Sequence, residues 1–162
     1  MPDQSSIVAH ITIADYVGVE ASGKANIVGA GITLVGFDFQ QGVTTPFAIW
    51  VRLVSPMAIA DRPAAEIVLV DASGQPVQVP GPMGEYQAVR ISQVVEFPAA
   101  TIPGVHIPNG ALPSVAQFAV NFSNGLPLAP GNSYTWRVQL DHDIIASESF
   151  FVPQPPAGPV IG

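Results

Sequence analysis

Along much of the chain apolar and polar side chains alternate one by one, the period of a strand that rests one face on a core. The clearest instance covers residues 133–141, where Tyr134, Trp136, Val138 and Leu140 alternate with Thr135, Arg137, Gln139 and Asp141. A half-buried strand with the first set inward is expected there. Ile7, Ala9, Ile11 and Ile13 alternate in the same way with Val8, His10 and Thr12, and Phe118, Val120 and Phe122 with Gln117, Ala119 and Asn121. In residues 47–54, Phe47, Ile49, Val51 and Leu53 oppose Ala48, Trp50, Arg52 and Val54, so both faces are apolar enough for one to meet a neighbour. Further strands are expected at residues 32–39, with Gly36 as a bulge, and at 65–70, 87–97 and 144–152, the last burying Ala146 and Phe150.

Turn residues separate these runs. Ala21-Ser22-Gly23-Lys24 closes an opening hairpin, Asp71-Ala72-Ser73-Gly74-Gln75 turns the chain into a short return at 76–79, and Ser123-Asn124-Gly125 and Asp141-His142-Asp143 mark later turns. With 17 prolines and 15 glycines the chain is punctuated too often for long helices. The expected fold is all-β, a single antiparallel β-sandwich of roughly immunoglobulin-like architecture, with a closed barrel as the alternative. Residues 1–6 form an N-terminal arm in this reading, 7–152 the sandwich and 153–162 an extended, Pro-rich C-terminal arm.

Two loops stand out. Residues 55–63 carry the apolar tip Met57-Ala58-Ile59-Ala60, and residues 99–113 hold Ile102, Val105, Ile107 and Leu112 among three prolines and two glycines. The second is too irregular for an element and too apolar for a free linker, so an ordered covering loop is expected.

Composition sharpens this. The 162 residues fit one domain, yet only 10% are charged while 48% are hydrophobic. No uninterrupted apolar run approaches the ~18 residues of a spanning helix. The remaining account is that other subunits, or copies of the chain itself, cover part of the apolar surface. A net charge of −7, with only Lys24, Arg52, Arg62, Arg90 and Arg137 positive, leaves no footprint for phosphates, so neither nucleic acid nor a membrane is an expected partner. Zero cysteines exclude disulfides, thiolate metal sites and a cysteine nucleophile. The opening residues lack a signal peptide's basic and apolar regions, so synthesis in a cytoplasm is expected.

Candidate chemistry is sparse. His10, His106 and His142 have no metal-ligand spacing, and Asp141-His142-Asp143 reads more simply as a turn. No serine sits in a nucleophile elbow, and Gly29-Ala30-Gly31 does not open a helix. Asn121-Phe122-Ser123 matches a glycosylation acceptor but lacks a secretory context. Asp38, Glu66, Asp71 and Glu96 could serve a glycosidase only if the fold brought two together. No catalytic residue, cofactor or metal is expected. Interaction residues are: Trp50 shares a face with Arg52, a pair enriched at interfaces, and Met57, Ile59, Val105, Ile107, Pro155 and Pro156 lie in the apolar loops and the arm.

Ala14-Asp15-Tyr16, followed by Gly23-Lys24, Asn26-Ile27 and Gly29, resembles the opening signature of an uncharacterised family of small β-sandwich proteins from bacteria and phages. The likeness extends loosely through Arg52-Leu53, the Val70 to Gly74 turn and the stretch from Pro130-Gly131 to Val152. It implies a fold and a bacterial or phage source, and no site. Together with scarce charge, this makes the leading expectation a non-enzymatic bacteriophage virion protein, a capsid decoration or minor capsid component. It would be made in the host cytoplasm and held on the major capsid protein or on copies of itself. The alternatives are a cytoplasmic module binding a host protein, and a sugar-binding or hydrolytic sandwich.

Overall fold

The computed structural model describes residues 6–156 and residue 158. The N-terminal arm therefore lies outside the described residues except for Ser6, and the C-terminal arm is described only to Pro156 and at Gly158. The first strands are β1 (Val8–Ala14), β2 (Tyr16–Val19), β3 (Ala25–Val28), β4 (Phe37–Asp38) and β5 (Val43–Thr44). Then come β6 (Phe47–Ser55), β7 (Ala64–Asp71), β8 (Gln78–Pro80), β9 (Tyr86–Ala88) and β10 (Arg90–Val94). The chain closes with β11 (Ser114–Phe122), β12 (Asn132–Leu140) and β13 (Asp143–Val152).

Two antiparallel sheets make the body. One runs β1-β6-β11 and the other β10-β7-β12-β13, and their inner faces share one core. The chain changes sheet between β6 and β7, between β10 and β11, and between β11 and β12, then closes with the β12–β13 hairpin. This is an immunoglobulin-like β-sandwich in which the fourth strand, β10, belongs to the second sheet. The shorter hairpins β2–β3, β4–β5 and β8–β9 are additions to it.

The alternating positions meet as the spacing requires. Phe47, Ile49, Val51 and Leu53 of β6 are buried against Tyr134, Trp136, Val138 and Leu140 of β12. Phe122 stacks on Trp136 with ring centroids 5.4 Å apart, and Phe47 lies 4.9 Å from Phe122 and 5.7 Å from Phe150. Tyr134, near the start of β12, donates its hydroxyl to the Ala129 carbonyl at 2.9 Å, the tyrosine corner of such sandwiches. Antibody domains place their second disulfide cysteine two residues after that tyrosine. Here the place is held by Trp136, 0% exposed, so an aromatic cluster spans the sheets where a covalent bond would. Asp141 and His142, with φ of 46° and 80°, form a two-residue turn joining Leu140 to Asp143, the primed geometry that follows the twist of paired strands.

Two expected strands are corrected. Residues 32–39 do not form one strand: only Leu34 bridges Phe151, in parallel, with Val35 N–H donating to the Phe151 carbonyl (3.0 Å), before the two-residue β4. The apolar run reflects a crossing from the edge of the first sheet to the edge of the second, which buries Val35 and leaves Leu34 outside. Residues 87–97 split at Val89, whose N–H turns to the Val77 carbonyl and whose own carbonyl accepts from Leu69. β9 thus pairs with β8 while β10 pairs with β7. Ala146, expected in the core, is only half-buried.

Candidate interaction surfaces

At one pole of the sandwich β6 ends, β11 begins, and the two apolar loops meet. Ser55 and Ser114 face each other in register, both buried. Each hydroxyl ties down a loop: Ser55 Oγ donates to the Met57 carbonyl and Ser114 Oγ to the Pro98 carbonyl, both at 2.6 Å. Such short bonds from buried hydroxyls satisfy groups that would otherwise be costly to desolvate. Ile59 N–H donates to the Phe97 carbonyl at 3.1 Å, and Val95 N–H to that of Pro63 at 3.0 Å, so the loops are laced together. Arg62 and Glu96 add an ion pair at 3.1 Å, with both side chains mostly exposed, which contributes little.

Between the loops lies a cavity of about 220 Å³ lined by Met57, Ala58, Ala99, Ala100, Ile107 and Leu112 among others, none of them charged. Around it Met57 is 50% exposed, Ile102 51% and Val105 57%. The apolar surface continues onto the outer face of the first sheet through the cross-strand row Val8, Val54 and Val115. Of the residues singled out in the sequence, Met57, Ile59, Val105 and Ile107 therefore share this pole. Ile102 and Leu112 join them. They were visible as apolar residues of the covering loop but had no signal placing them beside Met57.

Trp50 and Arg52 lie elsewhere, on the outer face of the first sheet, and Trp50 is only partly available. The β2–β3 hairpin folds over that face, burying Val17 against Ala14 and Ala48, with Ile27, Trp50 and Ala119 packed alongside. Asn121 pins it as a backbone partner would: its Oδ1 accepts from Val17 N–H (3.1 Å) and its Nδ2 donates to the Val17 carbonyl (2.8 Å). Gln117 bridges further out, accepting from Trp50 Nε1 at 3.1 Å and donating to the Gly23 carbonyl. The indole singled out as an interaction residue has its N–H satisfied inside the chain. Asn121, read as a glycosylation match, has both ends of its amide engaged. Pro155 and Pro156 are exposed beyond the end of β13, at the opposite pole.

The acids do not converge. Glu66 pairs with Arg90 (3.3 Å) and Ser92 (3.2 Å) on the outside of the second sheet, Glu96 with Arg62, and Asp38 caps the N–H groups of Gln40 and Gln41. Asp71 sits in its turn, where the Ser73 hydroxyl (2.6 Å) and then the Gln75 N–H hold its carboxyl below the usual range. Burial, opposed by the bond to Ala129, pushes the Tyr134 phenol up. Among the described residues no three His, Cys, Asp or Glu side chains group as a metal site, and no helix is long and apolar enough to cross a membrane.

No protein-family profile and no curated protein matches the chain. Among solved structures it is similar to an immunoglobulin-like protein from Pseudomonas aeruginosa, at 19% identity and a TM-score of 0.46, over 92% of this chain and 98% of that one. It is also similar to Pseudomonas fluorescens alkylpurine DNA glycosylase AlkC bound to DNA containing an abasic site analog, at 6% identity and a TM-score of 0.41. That match covers 92% of this chain and 31% of the glycosylase.

Proposed function

We propose that the chain is a non-enzymatic structural component of a bacteriophage particle, a capsid decoration or minor capsid protein that docks by its apolar loop pole. The observation that carries the reading is that pole: uncharged residues line its cavity, Met57 and Leu112 among them about half exposed, and Ile102 and Val105 of the same covering loop are exposed as well. Covering each would add on the order of 1 kcal/mol of apolar burial, a contribution to docking rather than the whole of it. The phage setting rests on the resemblance of residues 14–29 described above.

The host-binding alternative calls for one exposed hot-spot patch, for instance around Trp50, and the β2–β3 hairpin packs beside that side chain and leaves it half-buried. The sugar-binding or hydrolytic alternative calls for converging acids or an aromatic-lined cleft, and Asp38, Glu66, Asp71 and Glu96 are each engaged locally. The test is quantitative mass spectrometry of purified particles from the phage that encodes the chain. The chain is expected in stoichiometric proportion to the major capsid protein, and an Ile102→Asp, Val105→Asp variant is expected to stay folded and leave the particles. Absence of the unaltered chain from particles would overturn the reading.

A further inference from the structure

β11 is the outermost strand of the first sheet, bound to β6 on one side, and among the described residues no strand pairs with its other side. Nine residues long, it presents the backbone N–H and C=O groups of alternate residues outward, and among the described residues none of Val115, Gln117, Ala119 and Asn121 has a backbone bond beyond the sheet. Its sequence, SVAQFAVNF, contains no charge, no proline and no glycine, the devices that usually guard an exposed edge. The other edges differ. β1 gives its Ile13 carbonyl to Gly31 and Ile32, β13 is met by residues 33–35 and carries Glu148, and β10 begins with the ion-paired Arg90.

Beside this edge lies an open groove of about 510 Å³, bounded by the first half of β11, the end of β10 and the β2–β3 hairpin tip at Val19 to Gly23, whose Gly23 carbonyl accepts from Gln117. Val94, Val95, Ala116 and Phe118 line it, and its two charged lining residues, Glu20 and Glu96, are both acidic. Glu96 is reached by Arg62 in the exposed pair noted above; Lys24, in the hairpin turn, does not line the groove. On a chain of net charge −7 the field there is negative.

We propose that β11 takes up an extended segment of another protein as a fourth strand of the first sheet, and that this segment is basic where it passes Glu20 and Glu96. Backbone pairing selects an extended chain, because only a strand matches a row of alternating donors and acceptors. Alternate apolar side chains of the segment lie against Val94 and Phe118. A second copy of this chain fits poorly, since it would bring another Glu20 and Glu96 and a second net charge of −7 to the same place. The inference is independent of the capsid reading and of the apolar pole.

The probe is the capped peptide Lys-Val-Thr-Val-Thr-Val-Lys, titrated into the full chain and followed by amide chemical shifts and hydrogen exchange. Binding is expected to slow exchange at alternate β11 residues, and replacing both lysines by glutamate to weaken it by about fivefold at low salt. Two further peptides, N-methylated at odd or at even residues, separate strand addition from adhesion to an apolar surface without altering the protein. One of the two is expected to lose binding and the other to keep it. Equal binding by both, shifts confined to the Met57 pole, or no change at β11 would overturn the proposal. So would a doubled mass with protected β11 amides in the absence of peptide, which would give the edge to a second copy.

Discussion

Replacing Tyr134 by Phe removes one atom from the tyrosine corner and leaves the ring where it is, 5.8 Å from Phe150. What is lost is the 2.9 Å bond to the Ala129 carbonyl. A buried neutral hydrogen bond contributes roughly 0.5–1.5 kcal/mol, and stranding its partner away from water can raise the loss to ~3 kcal/mol. Ala129 is exposed and its carbonyl also accepts from Asn132 Nδ2 at 3.4 Å, so it is not stranded and the smaller figure applies, about 1 kcal/mol. For a domain of this size that lowers Tm by roughly 2–4 °C. The pH dependence gives a second readout. Burial raises the phenol's folded pKa, so its stabilisation is complete below the unfolded value near ~10 and is lost as pH rises through the folded one. In the Phe variant that alkaline loss disappears, and the stability gap between the two proteins narrows above pH ~10. The remaining tyrosines, Tyr16 and Tyr86, are largely exposed and make no comparable bond. Urea unfolding at several pH values measures both effects. A loss under ~0.3 kcal/mol near neutral pH, or an unchanged alkaline limb in the variant, would refute the role given to this corner.

Asn121→Ala removes both bonds to Val17 and should release the β2–β3 hairpin, raising amide exchange across residues 17–28 while the sandwich amides stay protected; uniform protection would show that packing alone holds it. Gly125→Ala sets a Cβ against the Thr44 carbonyl at a φ of +66°, so a loss on the order of 3 kcal/mol is expected in denaturant unfolding, and under ~1 kcal/mol would contradict the geometry. Ser73→Ala should let the Asp71 pKa rise toward the ordinary carboxylate value, as read by NMR titration. In the unaltered chain Asp71's contribution is present above the unfolded pKa and fades as pH falls through the lowered one, and an unmoved titration would remove Ser73 as its cause.

The sandwich was legible because its central strands bury one face each. Tyr134 to Leu140 alternate cleanly with polar residues, a two-residue period that only a half-buried strand explains, and in β6 the bulky Phe47, Ile49, Val51 and Leu53 share the inward face. Residues 32–39 misled because an apolar run is also what a chain needs when it crosses between sheets, with Val35 inward and Leu34 outward on a single bridge. The run from Gln87 to Phe97 hid a break at Val89, whose backbone partners, Leu69 and Val77, lie far away in sequence. The loop pole was half visible: the apolar residues of 55–63 and 99–113 were marked, but not that two buried serines, Ser55 and Ser114, would cinch the loops together. The covering of Trp50 was invisible, since it depends on Asn121 meeting Val17 104 positions away.

The described chain enters and leaves the sandwich at opposite poles. Val8 pairs with Val54 beside the Met57 loop, whereas Val152 pairs with Asn132 at the far end, a separation of roughly 30 Å, the span of a nine-residue strand. Anything joined after Val152 would stand a full strand length clear of a surface gripping the Met57 pole. Anything joined ahead of Ile7 would emerge within the grip. A fluorescent or affinity label placed at the first position would report without obstructing, and one at the second would compete for the seat.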